Sequence, residues 1–292
     1  DAGDANLADP ACATAASVCT LRAAIEQADA TAGTDVVTVP AMTISLGSAL
    51  TLSSNLTLKG AGARSTILQA TGGAHAMLLV TSGIVTVSGV TVTGATGGGA
   101  LAVNQSGGDL TLQGIRVTNN TASSAGGAYG PVFTNNGTMT VRDSEISGNS
   151  TTSTSSNAFG GGLSVYSSTV SVLNTTIADN NLAASGQALG GGVWAGQNSN
   201  VTVTSSTVAG NSVSASTPFG AGVFQNSGGT GSVEVADSIL ALPQGHTSCS
   251  GGGKAPVFLG RNLIDDTSCG AAAATRTIGP AKLGVLADNG GQ

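Results

Sequence analysis

The residues able to do acid–base chemistry are few and scattered. His75 and His246 are the only histidines. Neither has a Ser, Cys or carboxylate beside it in a nucleophile–base arrangement, so no histidine-based mechanism is expected. Arg116, Arg142, Asp143, Glu145 and Glu234 are the groups that an enzyme cleaving acidic glycans would need. Arg116, however, precedes Val117 as Glu145 precedes Ile146. The same slot on successive repeats predicts a stacked, outward ion pair, which contributes ~0 to 1 kcal/mol at a surface. Asp143 and Glu145 share a strand end with Arg142, where a solvated bend explains them equally well. No catalytic residue is assigned. The alternative, a polysaccharide lyase or glycoside hydrolase, requires two or three of these five side chains to converge in a groove. Asp265, Asp266 and Asp288 offer oxygen ligands of the kind calcium takes, without a ligand spacing that names a site. Calcium is therefore the one cofactor to look for, and none other is expected.

The aromatic residues form a second signal. Counted from the glycine corners, one slot holds Leu101, Tyr129, Ser164, Trp194 and Phe224 on successive repeats. Alternation from an inward Val193 and Val223 turns Trp194 and Phe224 outward, and turns Phe159, Leu189 and Phe219 inward. Aromatics are 3% of the chain. Tyr129, Trp194 and Phe224 on one exposed line would make a contact surface for an extracellular glycan or protein. A long loop folded over them is the competing reading. On the exposed reading, loss of Trp194 leaves stability nearly unchanged.

Repetition positions these side chains. Val141, Val172 and Val203 recur at 172 − 141 = 31 and 203 − 172 = 31, and Gly160, Gly190 and Gly220 at intervals of 30. That period marks stacked solenoid units. Apolar residues alternate with Thr or Ser, as in half-buried strands. Three strands per coil predict a parallel β-helix whose equivalent positions stack ~4.8 Å apart. Asn120, Asn149, Asn180 and Asn211 each follow an apolar strand position by three residues and are expected to form a hydrogen-bonded structural ladder at a bend. The segments Ser150 to Ala158 and Leu182 to Ala188 read as variable loops.

Thr20 caps a predicted helix from Leu21 to about Ala30, with Leu21, Ala24, Ile25 and Ala28 on one face. A helix here would cover the open end of the first coil. The chain thus divides into 1–35, a disulfide-stapled lead-in with its capping helix, and 36–292, the β-helix, with an irregular insertion around 243–275. Four cysteines allow three pairings. The local one, Cys12 with Cys19 and Cys249 with Cys269, keeps each pair within one non-repetitive region and implies an oxidising compartment. A formal charge of −6 with Lys and Arg scattered singly argues against nucleic acid and anionic membranes. No apolar run reaches the length of a membrane span. The first residues lack the basic and apolar regions of a signal peptide, which would then have been removed.

Cys19-Thr-Leu-Arg-Ala-Ala-Ile-Glu-Gln-Ala-Asp29 resembles the Cys-Ser-Leu-Arg-Glu-Ala (CSLREA) motif that opens a group of secreted bacterial β-helix proteins. Ala23 stands where that motif has Glu. Gly33 to Val39 and Leu56 to Gly62 continue as the group does, and Asn262 to Asp266 and Leu283 to Gly291 resemble the tail of choice-of-anchor proteins. The resemblance implies a right-handed single-stranded parallel β-helix at the cell surface or in the medium, with a further coil or anchor beyond Gln292. It implies no particular activity. Combined with the missing catalytic constellation, it points to a non-enzymatic, structural or adhesin-like module.

Overall fold

The computed structural model describes residues 1–8, 11–72, 76–97, 101–104, 108–243, 245–249, 254–270, 273–284 and 286–287, with only the backbone of Leu101–Asn104. The repeats form a parallel β-solenoid. Its first sheet, A, stacks nine strands from Thr34–Val39 to Val257–Leu259; the second, B, stacks ten from Thr43–Leu46 to Arg276–Ile278; the third, C, stacks seven from Leu50–Leu52 to Val223–Gln225. Pairing is parallel and without slips, so each inward slot becomes a column. Val87, Leu112, Val141, Val172 and Val203 share one column and Val92, Val117, Ile146, Ile177 and Val208 another, all fully buried.

Bends between sheets follow one recipe. A residue at positive φ turns the chain, and on the central coils the next residue buries a polar side chain that ties coil to coil, whereas apolar Ile115 follows Gly114. Between A and B the turning residues are Gly114, Asp143, Asn174, Ser205 and Asp237. Ser144 Oγ then accepts from Ile115 N at 3.2 Å, Ser206 Oγ from Thr175 N at 3.1 Å, and Ser238 Oγ from Ser206 N at 3.1 Å. After sheet B the turning residues are Asn119, Gly148, Asp179 and Gly210, each directly before an asparagine of the ladder. The left-handed conformation thus belongs to the preceding residue, and the ladder asparagines serve the hydrogen bonds alone. Asn149 Oδ1 accepts from Asn120 N and Asn120 Nδ2, both at 3.0 Å, while Asn149 Nδ2 donates to Val117 O and to Asn180 Oδ1, both at 2.9 Å. Asn180 and Asn211 repeat the pattern. Each buried amide is paired, which removes the cost of burying it.

The segments read as loops after the ladder are ordered. They form two further parallel sheets of four strands each. Sheet D comprises Thr121–Ser124, Ser150–Ser153, Asn181–Ala184 and Ser212–Ser214; sheet E comprises Ala128–Tyr129, Ala158–Phe159, Gln187–Leu189 and Thr217–Phe219. Together they make a fin on the central coils. Its own small core holds Ala128, Ala158, Leu182, Ala188 and Val213. The chain re-enters sheet C through the stacked corners at Gly130, Gly160, Gly190 and Gly220. Room there is limited: a Cβ on Gly130 would lie 1.9 Å from Gly160 O.

At the start of the chain, the helix Leu21–Ala30 closes the first coil. Thr20 Oγ1 accepts from Ala23 N at 3.1 Å, capping one of the free N–H groups of its first turn. Leu21, Ala23, Ile25, Gln27 and Ala28 are its buried residues, so Ala23 takes the place expected of Ala24. Arg22 donates to the carbonyls of Ser48 and Ala49 at 2.9 and 2.8 Å, and Asp29 accepts from Ser53 N and Ser54 Oγ. These bonds hold the helix against both ends of the strand Leu50–Leu52. Cys12–Cys19 and Cys249–Cys269 are both disulfide-bonded. Cys249 lies beyond Val223 at the end of sheet C, where the second bridge fastens the insertion.

Candidate functional site

The aromatic residues gather where the fin meets sheet C. Strand register places Phe133, Ser164, Trp194 and Phe224 in one outward column of sheet C, and Tyr129, Phe159, Leu189 and Phe219 in the facing column of sheet E. Two expectations are thereby corrected. Tyr129 is not in the Trp194 column, and the backbone of Leu101 pairs with Val132 rather than with Phe133. The cause is a misread corner: Gly130, not Gly126-Gly127, stacks on Gly160.

Trp194 does point away from the main core, yet only 3% of it is exposed, and 6% of Phe224. The fin covers both. Phe159, Leu189 and Phe219 do not enter the solenoid core as expected but pack on these rings from the fin side. Phe159 lies 4.6 Å from Trp194 and Tyr129 4.6 Å from Phe133, centroid to centroid; Tyr129 and Phe159 stack at 5.2 Å. Seven of the eight aromatic residues of the chain share this seam. The line is thus chiefly an internal joint, stabilised by area burial and ring geometry. Tyr166 is its exposed edge, stacked over Trp194 at 6.2 Å. Burial, and secondarily the proximity of Tyr166, push the Tyr129 hydroxyl above its ordinary pKa. Trp194 Nε1 is buried without an acceptor among the described residues. Phe133 escaped the sequence reading because it emerges only once the true corner fixes the register; Tyr166, two residues after outward Ser164 in the same strand, could have been found by alternation.

The charged candidates do not converge. Arg116 Nε and Nη2 donate to Glu145 Oε2 and Oε1 at 3.1 and 3.2 Å on the outer face of sheet B. Burial alone would raise the Glu145 pKa. Hydrogen bonds from Arg116 and Ser147 and the charges of Arg116 and Arg64 outweigh it and hold the carboxyl below its ordinary value. Arg142, on sheet A, donates to Gln113 Oε1 at 2.7 Å, and Asp143 accepts from Asn174 Nδ2 at 2.8 Å. Glu234 lies three strands beyond Arg142 in the same sheet, ~14 Å along the axis. Each side chain of this group except Glu234 is held by a structural partner.

Asp265 and Asp266 fasten the insertion. Asp265 accepts from Leu242 N and from Ser248 Oγ at 2.6 Å; Asp266 accepts from Ser248 N at 2.7 Å and Ser268 N at 2.8 Å. Asp288 and His75 lie outside the described residues. Among the described residues no three His, Cys, Asp or Glu side chains are grouped to hold a metal. His246 borders a groove between Thr207, Ala209 and the segment Pro280–Gly284.

Fold and joint together define a parallel β-solenoid whose bends carry polar ladders and whose middle coils carry a fin. The family model for the right-handed β-helix region matches residues 48–239, more than half of the sequence, and the chain belongs to that family. No curated protein and no solved structure matches it.

Proposed function

We propose that the chain is a non-enzymatic, extracytoplasmic β-helix module with a structural, adhesin-like role, presenting its long faces to an extracellular glycan or cell-surface protein. One observation carries the reading. Four of the five charged side chains that glycan cleavage would need are spent on stacking the coils, Arg116 on Glu145, Arg142 on Gln113 and Asp143 on Asn174, and Glu234 stands apart from them. The two disulfides support an oxidising location. No described helix is long and apolar enough to cross a membrane, so insertion by a helix is no part of the proposal. Nor is a cofactor. The glycan or protein contact belongs at the exposed edge of the aromatic seam, Tyr166, rather than at the covered Trp194 and Phe224 or the half-buried Tyr129.

The test is to incubate the chain with acidic and neutral polysaccharides while measuring retention on glycan arrays and cells. Retention without new reducing or unsaturated ends is expected. Cleavage of any polymer would establish the lyase or hydrolase reading instead, and retention on no surface would remove the adhesive one.

A further inference from the structure

The exposed edge of the aromatic seam sits on a side of the molecule without charge. Residues 117–141, 146–178 and 180–233 include the whole fin and the central strands of sheet C. They contain no Asp, Glu, Lys, Arg or His, although the chain as a whole carries −6. The charges of these coils, from Arg142 to Asp237, lie on sheets A and B and on the bends beside them. Past either end the first charges are Asp109, on sheet A one strand before Thr138, and Lys254, one coil beyond Gln225 and bonded to Gly231 O at 3.0 Å.

Tyr166 is the one exposed aromatic ring among the described residues, at 37%. It stacks on Trp194 with 11° between the ring planes. Gly196, in the next slot of the Tyr166 column, makes room for both rings: a Cβ there would lie 2.5 Å from Trp194 Cη2 and 2.9 Å from Tyr166 Cδ2. The ring is thus held in place before any partner arrives, and ordering it on binding costs little. Amides flank it. Strand register puts Asn135 one coil before Tyr166 and Asn226 two coils after it in the same column, and Gln197 follows Gly196. Asn136 Nδ2 donates to Asn135 Oδ1 and Gly228 N to Asn226 Oδ1, both at 3.0 Å. Among the described residues, the NH2 groups of Asn135 and Asn226 and the side-chain amide of Gln197 form no hydrogen bond within the chain.

We propose that Tyr166, with the amides of Asn135, Gln197 and Asn226, binds an uncharged glycan, one hexopyranose ring resting on the Tyr166 ring and its neighbours following the column. The inference rests on the adhesive reading and names its ligand. A pyranose has a face of C–H groups that packs on an aromatic ring and a rim of hydroxyls that accept from amide N–H groups. A protein partner asks for more, namely a cluster of aromatic and Arg anchors within ~800 Å² on each side; here one ring is exposed. An acidic glycan asks for cations, which these segments lack.

The test titrates the purified chain by calorimetry with hexamers of glucose, mannose and N-acetylglucosamine, and with oligogalacturonate and oligoalginate. At least one neutral hexamer should bind, and neither uronate. Tyr166→Ala should weaken that binding about tenfold or more, and Tyr166→Phe, which keeps the ring, should retain it. Gln197→Ala, at an exposed amide, should weaken it about threefold or more at unchanged melting temperature, and it carries the test if loss of the Tyr166 stack loosens the fin. Failure of every neutral hexamer to bind overturns the proposal, as does tighter binding of a uronate, or neutral binding that neither Tyr166→Ala nor Gln197→Ala weakens. Retention on cells without hexamer binding would overturn it while leaving the adhesive reading with a protein as partner, whereas loss of both would remove both.

Discussion

The rings of Phe159 and Trp194 lie 4.6 Å apart although they belong to different sheets, one in the fin and one on the solenoid. This contact makes Trp194 a stability residue. Trp194→Ala should cost about 3 kcal/mol, at the low end for a buried aromatic because the fin can partly settle into the space. Trp194→Phe should cost far less, since it removes an indole N–H that has no acceptor. Chemical denaturation of the two variants checks both; equal and negligible losses would mean that the fin does not cover the ring in solution.

Asn149 sits in the middle of the ladder, with neighbours bonded on both sides. Asn149→Ala leaves the Asn120 N–H without its side-chain acceptor and removes the amide bonds to Asn120, Val117 O and Asn180. The expected loss is about 2–4 kcal/mol, from unsatisfied buried groups together with a small cavity. Asn149→Asp should also destabilise at neutral pH, because it buries a charge and removes the donor. Thermal melts at neutral pH decide it; a loss of a few tenths of a kcal/mol or less would show that the ladder is ornamental.

The glycine corners differ in what they tolerate. A Cβ on Gly192 would lie 2.7 Å from Val208 Cγ1 and 3.0 Å from the ladder amide of Asn211. Gly192→Ala should therefore cost about 1–3 kcal/mol by overpacking. Gly114, unlike Gly192, is at positive φ, but a Cβ there meets nothing within 4 Å, and its column mates are Asp143 and Asn174. Gly114→Asn should be nearly neutral. Parallel denaturation curves give the comparison, and the reverse ranking would contradict the corner geometry.

Glu145 makes a pH prediction. Its carboxyl is held below the ordinary value of 4.5 in the folded chain, so the folded state binds the proton less readily than the unfolded one. The resulting stability is fully present above the unfolded pKa and is lost as pH falls through the folded one. The pair is partly solvated, and its contribution is ~1 kcal/mol or less. Melting temperature followed from pH 6 downward should fall less in Glu145→Gln than in the wild type, with the difference shrinking in high salt. Identical acid profiles would show that Arg116 and Glu145 are not coupled.

The sequence determined what repeats. In a solenoid each coil touches mainly its neighbours, so stacking in space is written as recurrence along the chain. The inward columns through Val141 and Ile146, the line of Asn120, Asn149, Asn180 and Asn211, and the corners at Gly160 and Gly190 could all be read that way. So could the helix on the first coil and the local cysteine pairs. Alternation also turned Trp194 away from the core. Alternation fixes only the side of a strand on which a residue lies; what covers that side was decided by tertiary structure. The segments after the ladder are too short and too rich in Ser, Thr and Ala to show a period of their own, and they become strands only because each lies against its copy in the next coil. Their return over sheet C buries Trp194 under Phe159. The register of Tyr129 was lost for a related reason: coils differ in length there, and Gly126-Gly127 and Gly130 compete for one corner until backbone pairing selects Gly130.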